Sequence, residues 1–186
     1  MVETGVVTIH HDHPFADPPG SRRELRRLRG RWPSGVSVWT SAAGTVASRH
    51  RPVGLTVSSM LLADGEPGEL LALLDPDSDL ADALAADPRA TVSLLPERRS
   101  DVAQVFAGLA PAPGGKFTVG EWTETPYGPR LADAVAVVAV DVVEITEDVG
   151  WSSLVRARLS EPVVFGEGEP LVHHRGGYGR VAETPS

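Results

Sequence analysis

Two short strand-like runs in the first third of the chain, PSGVSVWT (Pro33 to Thr40) and GLTVSSM (Gly54 to Met60), most constrain what this sequence can become. The second places Thr56, Ser58 and Ser59 on one extended stretch directly after a glycine. A stretch this rich in hydroxyls cannot serve as plain core, because each buried hydroxyl needs a partner. It suits a phosphate or a flat polar ring, offered hydroxyls and backbone N–H groups together.

The chain around these runs is short-stranded. Val36, Val38 and Thr40 alternate with Ser37 and Trp39, and Ala42-Ala43-Gly44 predicts a turn. Trp39 reads as core or interface packing. Leu70 to Leu74 predicts a buried strand, Ala90 to Leu95 another, and Ala134 to Ile145 and Leu154 to Leu159 two more, separated by a turn at Glu147 to Gly150. In the last, Arg156 and Arg158 alternate with Val155, Ala157 and Leu159, giving one wet and one dry face. Three helices are expected. One ends at Pro33, one spans Ser78 to Ala86 with Asp77 or Ser78 as cap, and one spans Ser100 to Ala107, capped by Ser100 and stopped by Gly108. Residues 110–130, dense in Pro and Gly, predict a long loop acting as a lid or dimer arm. Together these elements predict a mainly β chain with short helices, closed as an antiparallel barrel rather than a doubly wound sheet.

Composition narrows the function classes. At 186 residues with 41% hydrophobic and 23% charged residues, the chain can bury one core. No apolar run approaches the roughly 20 residues that span a bilayer, and the polar N-terminus does not read as a signal peptide, so a cytoplasmic protein is expected. Zero cysteines remove disulfides, thiolate metal sites and cysteine nucleophiles. A net charge of −8 argues against nucleic acid as partner. Arg22, Arg23, Arg26, Arg27, Arg29 and Arg31 crowd the first helix, where Leu25, Leu28 and Trp32 form an apolar stripe; the arginines read as its solvated face. Residues 1–20, with His10, His11 and His13 beside Asp12, read as a flexible polar tail rather than a metal site, and 182–186 as a C-terminal tail.

Several chemistries find no motif. No GxGxxG follows a strand, and GxxxxGK[ST], GxSxG and HExxH do not occur. Chemistry supplied by a bound cofactor, with the protein orienting it, stays open.

The order of motifs resembles a known family. A helix leads into PSGVSVWT, a hairpin into GLTVSSM, and an apolar strand into DPDS (Asp75 to Ser78) and its helix. SLLPE (Ser93 to Glu97), VFAG (Val105 to Gly108), the pair Lys116-Phe117 and PLVHHRGGY (Pro170 to Tyr178) follow. Over about residues 21–181 the chain resembles the flavin reductase-like proteins, whose fold is a dimeric split antiparallel β-barrel of the FMN-binding type. The resemblance implies a homodimer that holds FMN, or FAD, without a covalent link near the dimer interface. It implies NAD(P)H as co-substrate and, as a possible partner, a flavin-dependent monooxygenase.

Carried over by residue, Pro33, Ser34, Gly35 and Val36 lie along the flavin ring. Thr56, Val57, Ser58 and Ser59 serve its edge and ribityl chain, and Asp75, Pro76 and Ser78 form the phosphate-side loop. Phe106, Lys116 and Phe117 complete the cofactor set. Asp75 and Asp77 are poor company for a phosphate, which leaves compensation to Lys116, Arg49 or Arg51. The family's Gly-Asp-His run is here Gly150-Trp151-Ser152, so Ser152 stands in the histidine's place, and Ala157 stands where a glycine is common. His174 is a further catalytic candidate, although adjacent strand residues point to opposite faces, so only one of His173 and His174 can face the ring. The implied activity is an oxidoreductase passing hydride from nicotinamide to flavin. The alternatives are an FMN-binding protein with a different donor or substrate, and a dimeric ligand-binding protein without catalysis.

Overall fold

Ser58 and Ser59 join the two edges of the main sheet, and this link sets the shape of the molecule. The computed structural model describes residues 20–44, 48 and 51–181. The elements run α1 (Gly20–Gly30), β1 (Ser34–Gly35), β2 (Ser37–Ser41), β3 (Val53–Val57), β4 (Met60–Ala63), β5 (Glu69–Leu74), α2 (Asp79–Ala86) and β6 (Arg89–Leu94). There follow α3 (Ser100–Phe106), β7 (Trp122–Thr123), β8 (Arg130–Leu131), β9 (Ala136–Val149), β10 (Ser152–Phe165), β11 (Leu171–His174) and β12 (Gly177–Arg180).

Seven strands form one sheet in the order β3-β2-β6-β9-β10-β5-β4, with every neighbouring pair antiparallel. The edge strands β3 and β4 are consecutive in the chain. Laid flat, the sheet would hold them roughly 28 Å apart, six intervals of about 4.7 Å. The link from Val57 to Met60 can span only about 10 Å. The sheet therefore curls into a half-barrel with Ser58–Ser59 as its seam, where the Leu73 N–H donates to the Ser59 carbonyl at 3.0 Å.

The curl makes two packed layers. Inside lie Trp39, Val57, Leu70, Ala72, Leu74, Val92, Val140, Val155 and Ala157, plugged by Leu80, Ala83 and Leu84 of α2. Trp39 is therefore core, and its indole N–H donates to the Met60 sulfur at 3.3 Å. On the other side of β2, Val36 and Val38 pack with Val102, Ala103, Val105 and Phe106 around α3, and with Leu171 of β11. β2 is buried on both faces.

Four expectations need correction. The first helix stops at Gly30, short of Pro33, and its stripe is not packed: Leu25 and Leu28 are each 60% exposed and Trp32 72%. Ser100 makes no capping bond; the cap position falls on Arg99, whose side chain does not cap either. β9 and β10 run on as a hairpin of 14 residues each, well past the expected ends. The turn expected at Glu147 to Gly150 falls at Gly150 and Trp151, and the outer part of the hairpin is exposed and carries Glu144, Glu147 and Asp148.

Residues 110–130 are no free lid. Hydroxyls on the sheet peg this segment down: Thr40 Oγ1 donates to the Pro129 carbonyl at 2.7 Å, and Thr91 Oγ1 to that of Gly128 at 2.9 Å. Gly128 has a φ of 133°, and a Cβ there would meet the Thr40 carbonyl oxygen at 2.6 Å. The expected histidine-bearing N-terminal tail, the C-terminal tail and Arg49 lie outside the described residues.

Candidate functional site

β3 carries polar features at both ends, and the strand's alternation sorts its side chains. Val53 and Val57 enter the barrel core. Gly54 and Thr56 face α3, where Thr56 Oγ1 donates to the Ala103 carbonyl at 2.8 Å. That bond ties the strand to the helix and engages one of the hydroxyls expected to meet a ligand. A Cβ on Gly54 would come within 2.7 Å of the Phe106 ring, so only glycine lets the helix approach this closely.

A cavity of about 440 Å³ opens beside Gly54, lined among others by Ser48, Arg51, Asp79, Lys116, Thr118 and Glu124. The segment Lys116–Thr118 forms one turn of 3-10 helix, held on the aromatic trio Phe106, Phe117 and Trp122, whose ring centres are 5.1 Å apart pairwise. Lys116 Nζ reaches the Gly54 carbonyl at 3.4 Å and lies 5.9 Å from the centre of the Phe106 ring. Burial lowers the Lys116 pKa from its ordinary value, and the Asp79 charge works against that shift. Among the described residues no carboxylate lies within ion-pair distance of Lys116. The cavity is electrically balanced, with Arg51 and Lys116 matched by Asp79 and Glu124. Hydrogen bonding and shape, rather than net charge, would hold an anion there.

The DPDS turn leads into α2 at the cavity's rim. Its polar groups are largely spent on one another. Ser78 Oγ donates to the Asp75 carbonyl at 2.7 Å and accepts from the Ala81 N–H at 3.2 Å as N-cap. Asp75 Oδ1 accepts from the Asp77 N–H at 3.0 Å. Pro76 is exposed. The turn thus builds the helix start, and Asp79 of its first turn lines the cavity.

At the other end of β3 is the seam. Ser58 and Ser59 are partly exposed, and Ser59 Oγ accepts from Arg29 Nη2 at 3.2 Å. Gly54 and Ser59 are five residues apart, roughly 16 Å of extended chain. Ser37 pairs with Val57, so the residues just before β2 run antiparallel beside those just after β3; Pro33 and Gly35 there are exposed, and Ser34–Gly35 pair with His173 and Val172 of β11. Val36 is fully buried, with its N–H bonded to the Leu171 carbonyl and its carbonyl to the Leu95 N–H, so it anchors the segment rather than presenting a face.

The two histidines separate as the strand geometry demands. His174 is exposed, while His173 is half-buried against Tyr178, ring centres 5.7 Å apart. Burial first, then the nearby Arg29 and His174, lowers the His173 pKa from its ordinary value. Ser152 opens β10 just beyond the Gly150 turn, where φ is 68°. Its neighbour Ser153 pairs with Leu74 and the following Leu154 with Leu73, so this end of β10 runs beside the strand that meets the seam.

The seam therefore gathers Ser58, Ser59, Pro33 to Gly35 and His173. The cavity gathers Lys116, Phe117 and the α2 start, with Phe106 beneath. Sequence reasoning missed Arg29 as part of this region, assigning it to a solvated face. No sequence signal could have singled it out, because its contact with Ser59 spans 30 positions. Arg51 was one of three candidate cations, and the structure puts it on the cavity wall.

A curled mainly β half-barrel with a hydroxyl-rich seam and an aromatic-backed cavity defines a fold with room for a small polar ligand, and comparison with known proteins narrows it. The family model described as "Flavin reductase like domain" matches residues 29–182, and the chain belongs to that family. Over 92% of its length it is 29% identical to AsuE2, an NADH-dependent FMN reductase of Streptomyces nodosus subsp. asukaensis, 91% of which is covered. It is 26% identical to the 4-hydroxyphenylacetate 3-monooxygenase reductase component of Pseudomonas aeruginosa, over 76% of this chain and 85% of that one. Among solved structures, the NADH:FAD oxidoreductase SgcE6 of Streptomyces globisporus C-1027 matches with a TM-score of 0.75 at 25% identity, covering 89% of this chain and 96% of that one.

Proposed function

We propose that this protein is an NADH-dependent flavin reductase that binds FMN or FAD non-covalently and passes the reduced flavin to a separate flavin-dependent monooxygenase. One observation carries the reading: β3 ends on one side at a cavity with a half-buried ammonium, and on the other at a seam of partly exposed serines. A flavin nucleotide has that same polarity, with an anionic phosphate at one end and a hydrogen-bonding ring edge at the other. Lys116, Arg51, Ser48 and the start of α2 would take the phosphate. Ser58 and Ser59 would serve the ring, beside Pro33, Ser34 and Gly35.

The flavin supplies the redox chemistry, accepting two electrons as hydride from the nicotinamide. The protein's part is to hold the ring edge in hydrogen bonds and leave one ring face open to the dinucleotide. The charge balance in the cavity supports exchange: a site without excess positive charge grips a dianionic phosphate weakly in either redox state of the ring, which suits a flavin that is not kept as a permanent cofactor. Ser152 lacks the titratable ring of the histidine it replaces. It cannot supply a proton near neutral pH, so hydride transfer must proceed without one from this position.

The domain is taken as residues 21–181, and the functional unit as a homodimer. Leu61 and Leu71 are cross-strand neighbours on the face of the sheet turned away from the core, as are Leu73 and Leu154. Leu61 is 72% exposed and Leu73 39%, an apolar strip that begins at the seam. A second copy covering it would close one side of the flavin site.

The test is a Ser59→Leu substitution, read by fluorescence titration with FMN. Ser59 is half-exposed, so the variant is expected to fold and to lose flavin binding by about tenfold or more, the cost of an unmade polar contact plus a steric block. Unchanged flavin affinity in a folded variant would remove the seam from the site.

A further inference from the structure

We infer that Arg29 makes the seam favour reduced flavin over oxidised flavin. The inference rests on the proposed flavin reading and extends it to a residue outside the expected cofactor set. Arg29 lies in the last turn of α1, where a basic side chain also complements the helix dipole. The dipole does not explain where the guanidinium goes. Nη2 donates across to Ser59 Oγ at 3.2 Å, on a different element 30 positions away.

The end of α1 is tied into place by the β11–β12 turn. The Arg175 N–H donates to the Gly30 carbonyl at 2.6 Å, and Arg175 itself adopts a φ of 53°. This fixes the residue next to Arg29 against the strand carrying His173. Arg29 is felt by His173, whose pKa is lowered first by burial and then by the Arg29 charge. Among the described residues no carboxylate lies within ion-pair distance of Arg29. A guanidinium has five N–H donors in a fixed fork, and one is spent on Ser59.

The chemistry of the ring decides what such a cation does. The polar atoms of an isoalloxazine lie along its pyrimidine edge, and its other end is an apolar xylene. The hydroxyl-and-cation seam matches the pyrimidine edge. In the reaction the nicotinamide C4–H bond breaks with its electron pair and an N5–H bond forms on the flavin. The nicotinamide leaves as the oxidised cation, and the flavin gains one negative charge, held mainly at N1 and the C2 carbonyl. No further proton is needed for the balance. A guanidinium at that edge stabilises the anionic product more than the neutral oxidised ring, which makes Arg29 a catalytic residue by charge rather than by proton transfer.

The test compares wild type, Arg29→Gln and Arg29→Lys for binding of oxidised FMN in air and of dithionite-reduced FMN under anaerobic titration. Arg29→Gln is expected to bind oxidised FMN within about twofold of wild type and reduced FMN about tenfold more weakly, the size of one hydrogen bond to a charged group. That tenfold loss equals a fall of about 30 mV in the midpoint potential of bound FMN. Arg29→Lys keeps the charge and is expected to restore most of the preference. An unchanged ratio in Arg29→Gln overturns the inference while leaving the flavin site intact. An equal loss for both forms also overturns it, making Arg29 an anchor for a group the redox state does not alter. Wild-type protein that binds neither form overturns the flavin reading, and this inference with it.

Discussion

His173 and Lys116 are moved the same way by burial, each toward its neutral form. For His173 the consequence is measurable in stability. Its folded pKa lies below the ordinary 6.5, so the unfolded chain takes up a proton more readily than the folded one. The stability this residue contributes is complete above pH 6.5 and is lost as pH falls below it. Thermal melting of wild type is expected to drop between pH 7 and pH 5, and a His173→Gln variant to show a shallower drop. Equal slopes in the two proteins would mean that His173 is not held neutral. The residues around it differ in how far they could be read in advance. Ser59 and Lys116 were legible, because a serine pair after a strand and the chain's only lysine both stand out in the sequence. Arg29 was not, because it is one of a crowd of arginines and only the docking of α1 on the β11–β12 turn singles it out.

At the scale of elements, local chemistry was legible where the chain itself makes the bond. Ser78 caps α2 as its position before Asp79 and Leu80 suggested, with the Ala81 N–H on its hydroxyl. Replacing it by alanine is expected to cost about 1 kcal/mol, read as a lower urea midpoint. No change would mean that the Asp75–Ser78 turn holds the helix start without the hydroxyl. Ser100 offered the same signal before α3 and failed, because the chain enters that helix one residue earlier, at Arg99. Tertiary contacts likewise decided the 110–130 segment. Its prolines and glycines signalled a loop, but nothing local disclosed that Thr40 and Thr91 of the sheet would pin its end. The β9–β10 hairpin likewise runs past Ile145 and Leu159, because cross-strand pairing extends it from Val149 opposite Ser152 to Ala136 opposite Phe165.

For the whole molecule, a mainly β chain with few helices followed from many short strands, but the closed barrel expected from them is a half-barrel, whose seam follows only from strand order. Two consecutive strands on opposite edges force the curl, and the hydroxyl run of GLTVSSM sits where the curl closes. The apolar strip beside the seam leads to an assembly prediction. Leu73→Glu, which places a charge on an exposed face of β5, is expected to leave the fold intact and shift the protein from dimer to monomer in light scattering. A wild-type protein that is already monomeric would rule out the dimer, and a variant that stays dimeric would put the interface elsewhere. The central claim is that this chain reduces flavin. Its most direct test is steady-state NADH oxidation with increasing FMN or FAD. A flavin reductase will consume NADH at a rate that saturates with added flavin and stops without it. Folded protein that leaves NADH untouched with both flavins supplied would contradict the assignment.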